Sequence, residues 1–259
     1  MQLTREIQHR FGAAAERYAQ SEYHGAGPDL AAMLEAAQPR GGERVLDVGC
    51  GAGHTALCFA PHVAEVVALD LTDAMLEQTR SLAASRGLAN LRCERGDAHA
   101  LPFEDASFDL VTCRVCAHHF ARPGRAVREA ARVLRPGGRY LLVDSVVPDD
   151  AAQDTFLNAI EWLRDPSHVR NHAVAQWLAW MGEAGLDAEW RHTFRLAVEL
   201  EDWAARIGAP PARVALLREL LAGAVAEVRA GLGVQAGERT GFDIPIALFV
   251  GRKPDPETR

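Results

Sequence analysis

Apolar positions along this chain follow two rhythms. Phe11, Ala15, Tyr18 and Ala19 recur at helical spacing and predict a helix over residues 4–20. Pro28 opens a second helix over 28–37, and Gly41-Gly42 ends it. Short apolar runs of strand length follow at 44–48, 65–70, 91–95, 108–113 and 140–143. Helical patterns separate them. One covers 53–60 and stops at Pro61. One covers 73–86, with Thr72 or Asp73 as cap and Gly87 as stop. A third covers 123–134 and is broken by Pro136-Gly137-Gly138. Tyr140 to Val143 are apolar on both faces, as a central parallel strand requires. Strand and helix in alternation predict the α/β class, with a doubly wound, mostly parallel sheet.

After Pro148 the rhythm changes. Helices are expected over 151–164 and 173–184, with a turn at Asp165-Pro166-Ser167 between them. Two more strands are expected at 188–196 and 242–251, enclosing helices over 199–206 and 211–230. There is no internal repeat and no low-complexity linker. The expected organisation is one domain over 1–253: an N-terminal helical cover (1–40), a sheet core (41–147), a lid segment (148–185) and C-terminal strands and helices (186–253). A polar tail, 254–259, is expected to fray.

Composition narrows the class. A chain of 259 residues with 48% apolar residues suits one large globule. No apolar run approaches the roughly 20 residues that span a bilayer, and the N-terminus lacks the apolar stretch of a signal peptide. Five sparse cysteines fit a reduced compartment. A cytoplasmic protein without a membrane partner is expected. The net charge of −7 argues against a nucleic-acid partner, which calls for a basic face.

The chemistry is concentrated in Val45-Leu46-Asp47-Val48-Gly49-Cys50-Gly51-Ala52-Gly53-His54-Thr55. An apolar run ends at a carboxylate and enters three alternate glycines. A second run, Val66 to Leu69, ends at Asp70. Strand, tight loop, helix, strand and acid form the layout of a nucleoside site at a sheet edge. The pattern is G-x-G-x-G, and His54 stands where a dinucleotide fingerprint has its third glycine. Asp47 would repel a pyrophosphate and attract an ammonium or sulfonium. The loop therefore suits a cationic nucleoside. Cys113-Arg114-Val115-Cys116 has metal or redox spacing but no second pair, and His118-His119 lack a H-E-x-x-H helix, so no metal is expected.

These residues carry a resemblance. Asp47 to Gly53 resembles the first motif of the class I S-adenosylmethionine-dependent methyltransferases. Gly96-Asp97-Ala98 resembles the adenine-reading segment of that family, Phe108 to Thr112 its fourth strand, and Leu134 to Gly138 the turn before its fifth. Together they cover roughly residues 40–147. The branch most similar is the bacterial small-molecule enzymes akin to the ubiquinone and menaquinone C-methyltransferases. Ala117-His118-His119-Phe120 and Asp165 to Arg170 resemble a less characterised subgroup of it.

The resemblance implies a seven-stranded sheet completed by an antiparallel hairpin, with helical segments covering the ligand. It implies S-adenosyl-L-methionine as cofactor and S-adenosyl-L-homocysteine as product. Asp47 would orient the glycine loop or the methionine amino group. Gly49, Cys50, Gly51 and Gly53 would let the backbone approach closely. Asp70 would bind the ribose hydroxyls, with Leu71 against the adenine. Asp97 would accept from the adenine amino group, with Ala98 as backbone donor. Arg114, where the family usually has a small polar residue, would pair with the methionine carboxylate. Tyr18 would close over the cofactor.

His118 and His119 follow the fourth strand, next to where the methyl group should point, and are the candidate general bases; His118 is the better placed to face substrate. His24, Asp144, Trp162, His168 and Arg170 are candidates to line the acceptor pocket, although tryptophans at helical spacing are also a core pattern. The expected function is in-line methyl transfer to a carbon, oxygen or nitrogen of a small molecule, by a monomer or homodimer. The rivals are another use of the same cofactor, a macromolecular acceptor, a nucleoside-binding protein without turnover, and an NAD-dependent dehydrogenase.

Overall fold

The computed structural model describes residues 2–237 and 239–256. The expected tail therefore lies partly outside the described residues, at 257–259. Three helices come first: α1 (Gln2–Ala19), α2 (Glu22–Ala26) and α3 (Pro28–Ala37). The alternating region follows as β1 (Arg44–Val48), α4 (His54–Phe59), β2 (Glu65–Asp70), α5 (Asp73–Ser85), β3 (Leu91–Arg95), β4 (Phe108–Arg114), α6 (Pro123–Val133) and β5 (Leu134–Val147). The remainder is α7 (Ala151–Arg164), the two-residue β6 (His172–Ala173), α8 (Val174–Glu183), β7 (Asp187–Glu199), α9 (Leu200–Ile207), α10 (Pro211–Ala222), α11 (Ala226–Gly231) and β8 (Gly241–Arg252).

The sheet runs β3-β2-β1-β4-β5-β8-β7, with β6 beside β5. Strands β1 to β5 are parallel; β8 is antiparallel to both its neighbours. This is the doubly wound arrangement that the resemblance implies, hairpin included. Alternation on β1 shows how the strands divide the core. Val45 faces the cluster with Met33, Val66 and Leu110, whereas Leu46 and Val48 face the cluster with Val67, Val111 and Trp177. Burial of both faces is what the parallel strands' continuous apolar runs require.

Four elements differ from expectation. The short helix α2 and the strand β6 were not legible, being too brief to show a period. Strand β5 extends far beyond Tyr140–Val143, because β8 pairs with it from Arg139 to Ser145, β4 reaches Leu134 through Phe108, and β6 pairs with Val146 and Val147. The helix expected over 211–230 is two helices. Gly223 leaves helical geometry (φ −89°, ψ 1°), and the Arg229 guanidinium reaches back to the carbonyls of Ala222 and Ala224. The single lysine has a structural task. Lys253 Nζ donates to the Ala131 and Leu134 carbonyls, 2.7 Å each, at the C-terminus of α6.

Ligand sites in such sheets form outside the carboxyl ends of the strands, where strand order reverses. Here that point lies between β1 and β4. Helix α1 packs over it against α5 and α9. Gln8 Nε2 ties α1 to the Leu71 carbonyl at 3.0 Å, just beyond the tip of β2. Among the described residues, no helix is long and apolar enough to cross a membrane.

Candidate functional site

The loop after β1 is shaped by two carboxylates. Asp47, buried on β1, accepts from Thr112 Oγ1 at 2.8 Å and from the Ala56 N–H at 3.1 Å. It therefore ties β4 to the start of α4 and holds the loop between them. Burial pushes its pKa up to about 7, against the pull of those two hydrogen bonds. Asp70, at the tip of β2, accepts from the Gly51 N–H at 2.9 Å and the Thr72 N–H at 2.8 Å. Burial raises its pKa too.

Glycine is required at two of the three loop positions by contact as well as angle. A Cβ on Gly49 (φ +68°) would sit 2.2 Å from Cys116 Sγ. One on Gly53 (φ +89°) would sit 2.5 Å from Thr79 Cγ2. Above Gly51 (φ +53°) there is open space within 4 Å. Gly53→Ala is expected to destabilise the fold by about 1–3 kcal/mol, read as a lowered urea midpoint; an unchanged midpoint would show that the loop tolerates both the angle and the contact.

The open space belongs to a cavity of about 410 Å³, within the range of small-molecule sites. Gly49, Cys50, Gly51, Asp70 and Leu71 form one side of it, and Asp97 and Ala98 another. Tyr18 and Phe11 of α1 cover it. Asp97 Oδ1 accepts from the His99 N–H (2.9 Å) and ring Nδ1 (2.7 Å). Burial opposes ionisation of Asp97, but those bonds outweigh it and hold the carboxyl below its usual value.

A second, smaller cavity of about 60 Å³ adjoins the first. Phe11, Tyr18, His24, Val115 and His119 line both, so they form a common wall. Val115 has φ +50°, a strained angle for a β-branched residue, and lies where β4 leaves the sheet. The short 3₁₀ turn Ala117–His119 then presents the two histidines. His118 reaches only the second cavity. Its Nδ1–H donates to Asp144 Oδ1 at 2.6 Å, which leaves Nε2 with the free lone pair. Burial disfavours protonation, but the Asp144 charge and hydrogen bond outweigh it and raise the His118 pKa. His119 donates through Nδ1 to the Ser167 carbonyl at 2.9 Å and meets the Phe11 ring edge-on. Burial, then the neighbouring His118, lowers its pKa to about 4.

Several candidates from the sequence sit elsewhere. Asp144 is fully buried beneath the turn and lines neither cavity; Oδ2 accepts from the N–H groups of Cys116, Ala117 and His118, and Oδ1 from Ser145 as well as His118. Trp162 is 55% exposed, on the outer face of α7. Arg170 points outward and pairs with Asp154. His168 is buried behind the turn, its ring 5.5 Å from that of His118, and bonds to Asn158 Oδ1. The backbone beside it does reach the site: the Val169 and Arg170 N–H groups both donate to the His118 carbonyl.

Arg114 also departs from expectation. Its Nε donates to Asp29 Oδ2 at 2.6 Å, Nη2 to Asp29 Oδ1 and the Tyr23 carbonyl, and Nη1 to the His24 carbonyl. Four of its five N–H groups are thereby committed to α2 and α3. It edges the larger cavity but is engaged as a clamp.

Other lining residues escaped the sequence reading: Glu161, Arg164, Trp203 and Arg206, with Leu196, Ile244 and Ile246 from the hairpin. A signal existed for the first two. Leu157, Ile160, Glu161 and Arg164 share one helical stripe, so a buried apolar face of α7 carries two charges.

A family described as "Methyltransferase domain" matches residues 46–142. YcgJ of Bacillus subtilis (strain 168), an uncharacterized methyltransferase, is 43% identical over 203 residues, 78% of this chain and 80% of that one. The chain belongs to the class I S-adenosylmethionine-dependent methyltransferases. Within this family, the crystal structure of YcgJ has a TM-score of 0.84 at 39% identity, covering 87% of this chain and 98% of that chain. The ubiquinone/menaquinone biosynthesis C-methyltransferase UbiE of Ruegeria sp. (strain TM1040) is 41% identical over 130 residues, 48% of this chain and 52% of that enzyme. The YcgJ-like relatives thus share far more of this methyltransferase than UbiE does.

Proposed function

We propose that the larger cavity holds S-adenosylmethionine, that the smaller holds a small-molecule acceptor, and that the methyl group crosses at their common wall. The observation that carries this reading is the wall itself. Five residues border both spaces, with backbone and carboxylates suited to an adenosyl group on one side and a histidine base on the other. The residues present fit the cofactor. Open space above Gly51 leaves room for close approach, and Asp70 and Asp97 offer acceptors for hydroxyl and amino donors. A bound sulfonium supplies an electrophilic methyl carbon. The chain's own residues do the rest.

Asp47 and Asp70 hold the glycine loop open toward the cavity. The Arg114–Asp29 clamp fixes α2, and with it His24 in the wall. Tyr18 and Phe11 exclude water, which favours a step in which charge disappears. His118 Nε2 accepts the acceptor's proton, and Asp144, acting through His118, fixes the tautomer and stabilises the imidazolium. His119, held neutral, packs the wall. Because UbiE shares just under half of this chain, its acceptor is not carried over; the acceptor must instead match the second cavity.

Asp70→Ala removes both a proposed ribose partner and two bonds that shape the loop. Calorimetric titration with S-adenosylhomocysteine is expected to show a ten- to hundredfold weaker Kd, about 1.4–2.8 kcal/mol. An affinity equal to that of the wild type would place the nucleoside elsewhere.

A further inference from the structure

The smaller cavity is lined by two guanidinium groups, of Arg164 and Arg206, and by one carboxylate, of Glu161. Arg164 of α7 lies flat against one wall, its Cζ 4.7 Å from the centre of the Trp203 ring and its Nε donating to the Trp203 carbonyl at 2.8 Å. Its carboxylate neighbour in the cavity, Glu161 Oε2, is 4.0 Å away. Arg206, at the end of α9, lines the same cavity. Among the described residues its guanidinium has neither a hydrogen bond nor an ion pair, and burial followed by repulsion from Arg164 lowers its pKa. Its backbone is anchored, since the Arg206 carbonyl accepts from Arg17 Nε at 2.9 Å.

Two carboxylates act on these arginines from outside the cavity lining: Asp202 on Arg206, and on Arg164 Asp165, which also lies 3.6 Å from Arg10. The other ionisable groups at the cavity do not add a further anion to its lining. His24 and His119 are both lowered, by burial first, and are neutral at pH 7. Tyr23, raised by burial first, stays protonated. Asp144 lines neither cavity, and its carboxylate is taken up by four backbone N–H groups and His118. Glu161 offsets at most one guanidinium. Half-buried guanidinium without a partner is costly unless a ligand completes it, and a planar carboxylate matches its fork. The lining also includes an apolar group from the hairpin: Leu196, Ile244 and Ile246.

We propose that the acceptor carries a carboxylate-type anion that seats between Arg164 and Arg206, with its apolar body against Leu196, Ile244 and Ile246. This rests on the assignment of the smaller cavity to the acceptor, and it makes Arg206 a specificity-determining residue.

Matched probes test it. In the presence of saturating S-adenosylhomocysteine, 4-hydroxyphenylacetate and its neutral amide are titrated into the full-length protein. The acid is expected to bind about tenfold or more tightly than the amide. Arg206→Gln should reduce that preference to within about twofold, and Arg206→Lys should retain much of it. S-adenosylhomocysteine affinity should stay within about twofold in both variants, since Arg206 lines only the second cavity. Equal affinities for acid and amide, binding of neither probe, or a preference unchanged in Arg206→Gln would each overturn the proposal. Failure of the wild type to bind S-adenosylhomocysteine would instead overturn the two-cavity assignment beneath it.

Discussion

His118→Asn should lower kcat by about 10²–10⁴-fold, the usual contribution of a positioned base, and leave S-adenosylhomocysteine affinity within about threefold. The split follows from placement, because His118 borders the smaller cavity and not the larger one. Rates are read as methyl transfer from labelled S-adenosylmethionine to the acceptor. The pH dependence has a definite sign. Burial opposes the imidazolium, but Asp144 more than compensates, so the pKa lies above the ordinary 6.5. A base must be neutral, so activity should rise with pH through that raised value. The same shift acts oppositely on stability. The His118–Asp144 pair contributes fully below the unfolded pKa of histidine, about 6.5, and that contribution fades as pH rises through the folded value. Asp144→Asn should lose the raised limb of the profile while KM changes little. Full activity in His118→Asn would remove the base from the mechanism.

Arg114→Met should cost about 3–5 kcal/mol of folding stability, measured by urea denaturation. The side chains of Arg114 and Asp29 are both almost completely buried, and the substitution strands the Asp29 carboxylate in the interior. Removing both charges, as Arg114→Met with Asp29→Leu, should recover a large part of that loss, because no uncompensated charge remains. The His24 carbonyl also loses its arginine donor, and the Tyr23 carbonyl is left with the Gly27 N–H alone. The wall between the cavities should loosen, and the double variant should recover stability more fully than turnover. A cost below about 1 kcal/mol for Arg114→Met would mean that the clamp is not what holds α2 in place.

The contrast between Arg114 and Asp70 shows what a sequence can reveal. The place of Asp70 at the edge of the larger cavity was legible because it depends on a short local pattern: a strand, its terminal acid and a glycine loop one strand away. Arg114 stands at an equally suggestive strand end, yet its partner Asp29 is 85 residues distant and invisible to periodicity. The sheet was legible for the first reason. Its strands are apolar runs punctuated by Gly and Pro, and the β8–β7 hairpin followed the family pattern. Asp144 looked like a cleft residue because it ends an apolar stretch of β5. It turned inward because the 3₁₀ turn presents three N–H groups to one carboxylate. Trp162 and Glu161 are adjacent on α7, and one helical step of about 100° sends one to solvent and the other to the cavity. The smaller cavity draws on α1, α2, α7, α9 and both hairpin strands, so no local stretch of sequence could announce it.

The most direct test is a crystal structure with S-adenosylhomocysteine. The adenosine should lie beside Asp70 and Asp97, and the sulfur should reach the wall formed by Phe11, Tyr18, His24, Val115 and His119, with His118 Nε2 on the far side. An adenosine bound outside the larger cavity, or a sulfur directed away from that wall, would contradict methyl transfer between the two spaces.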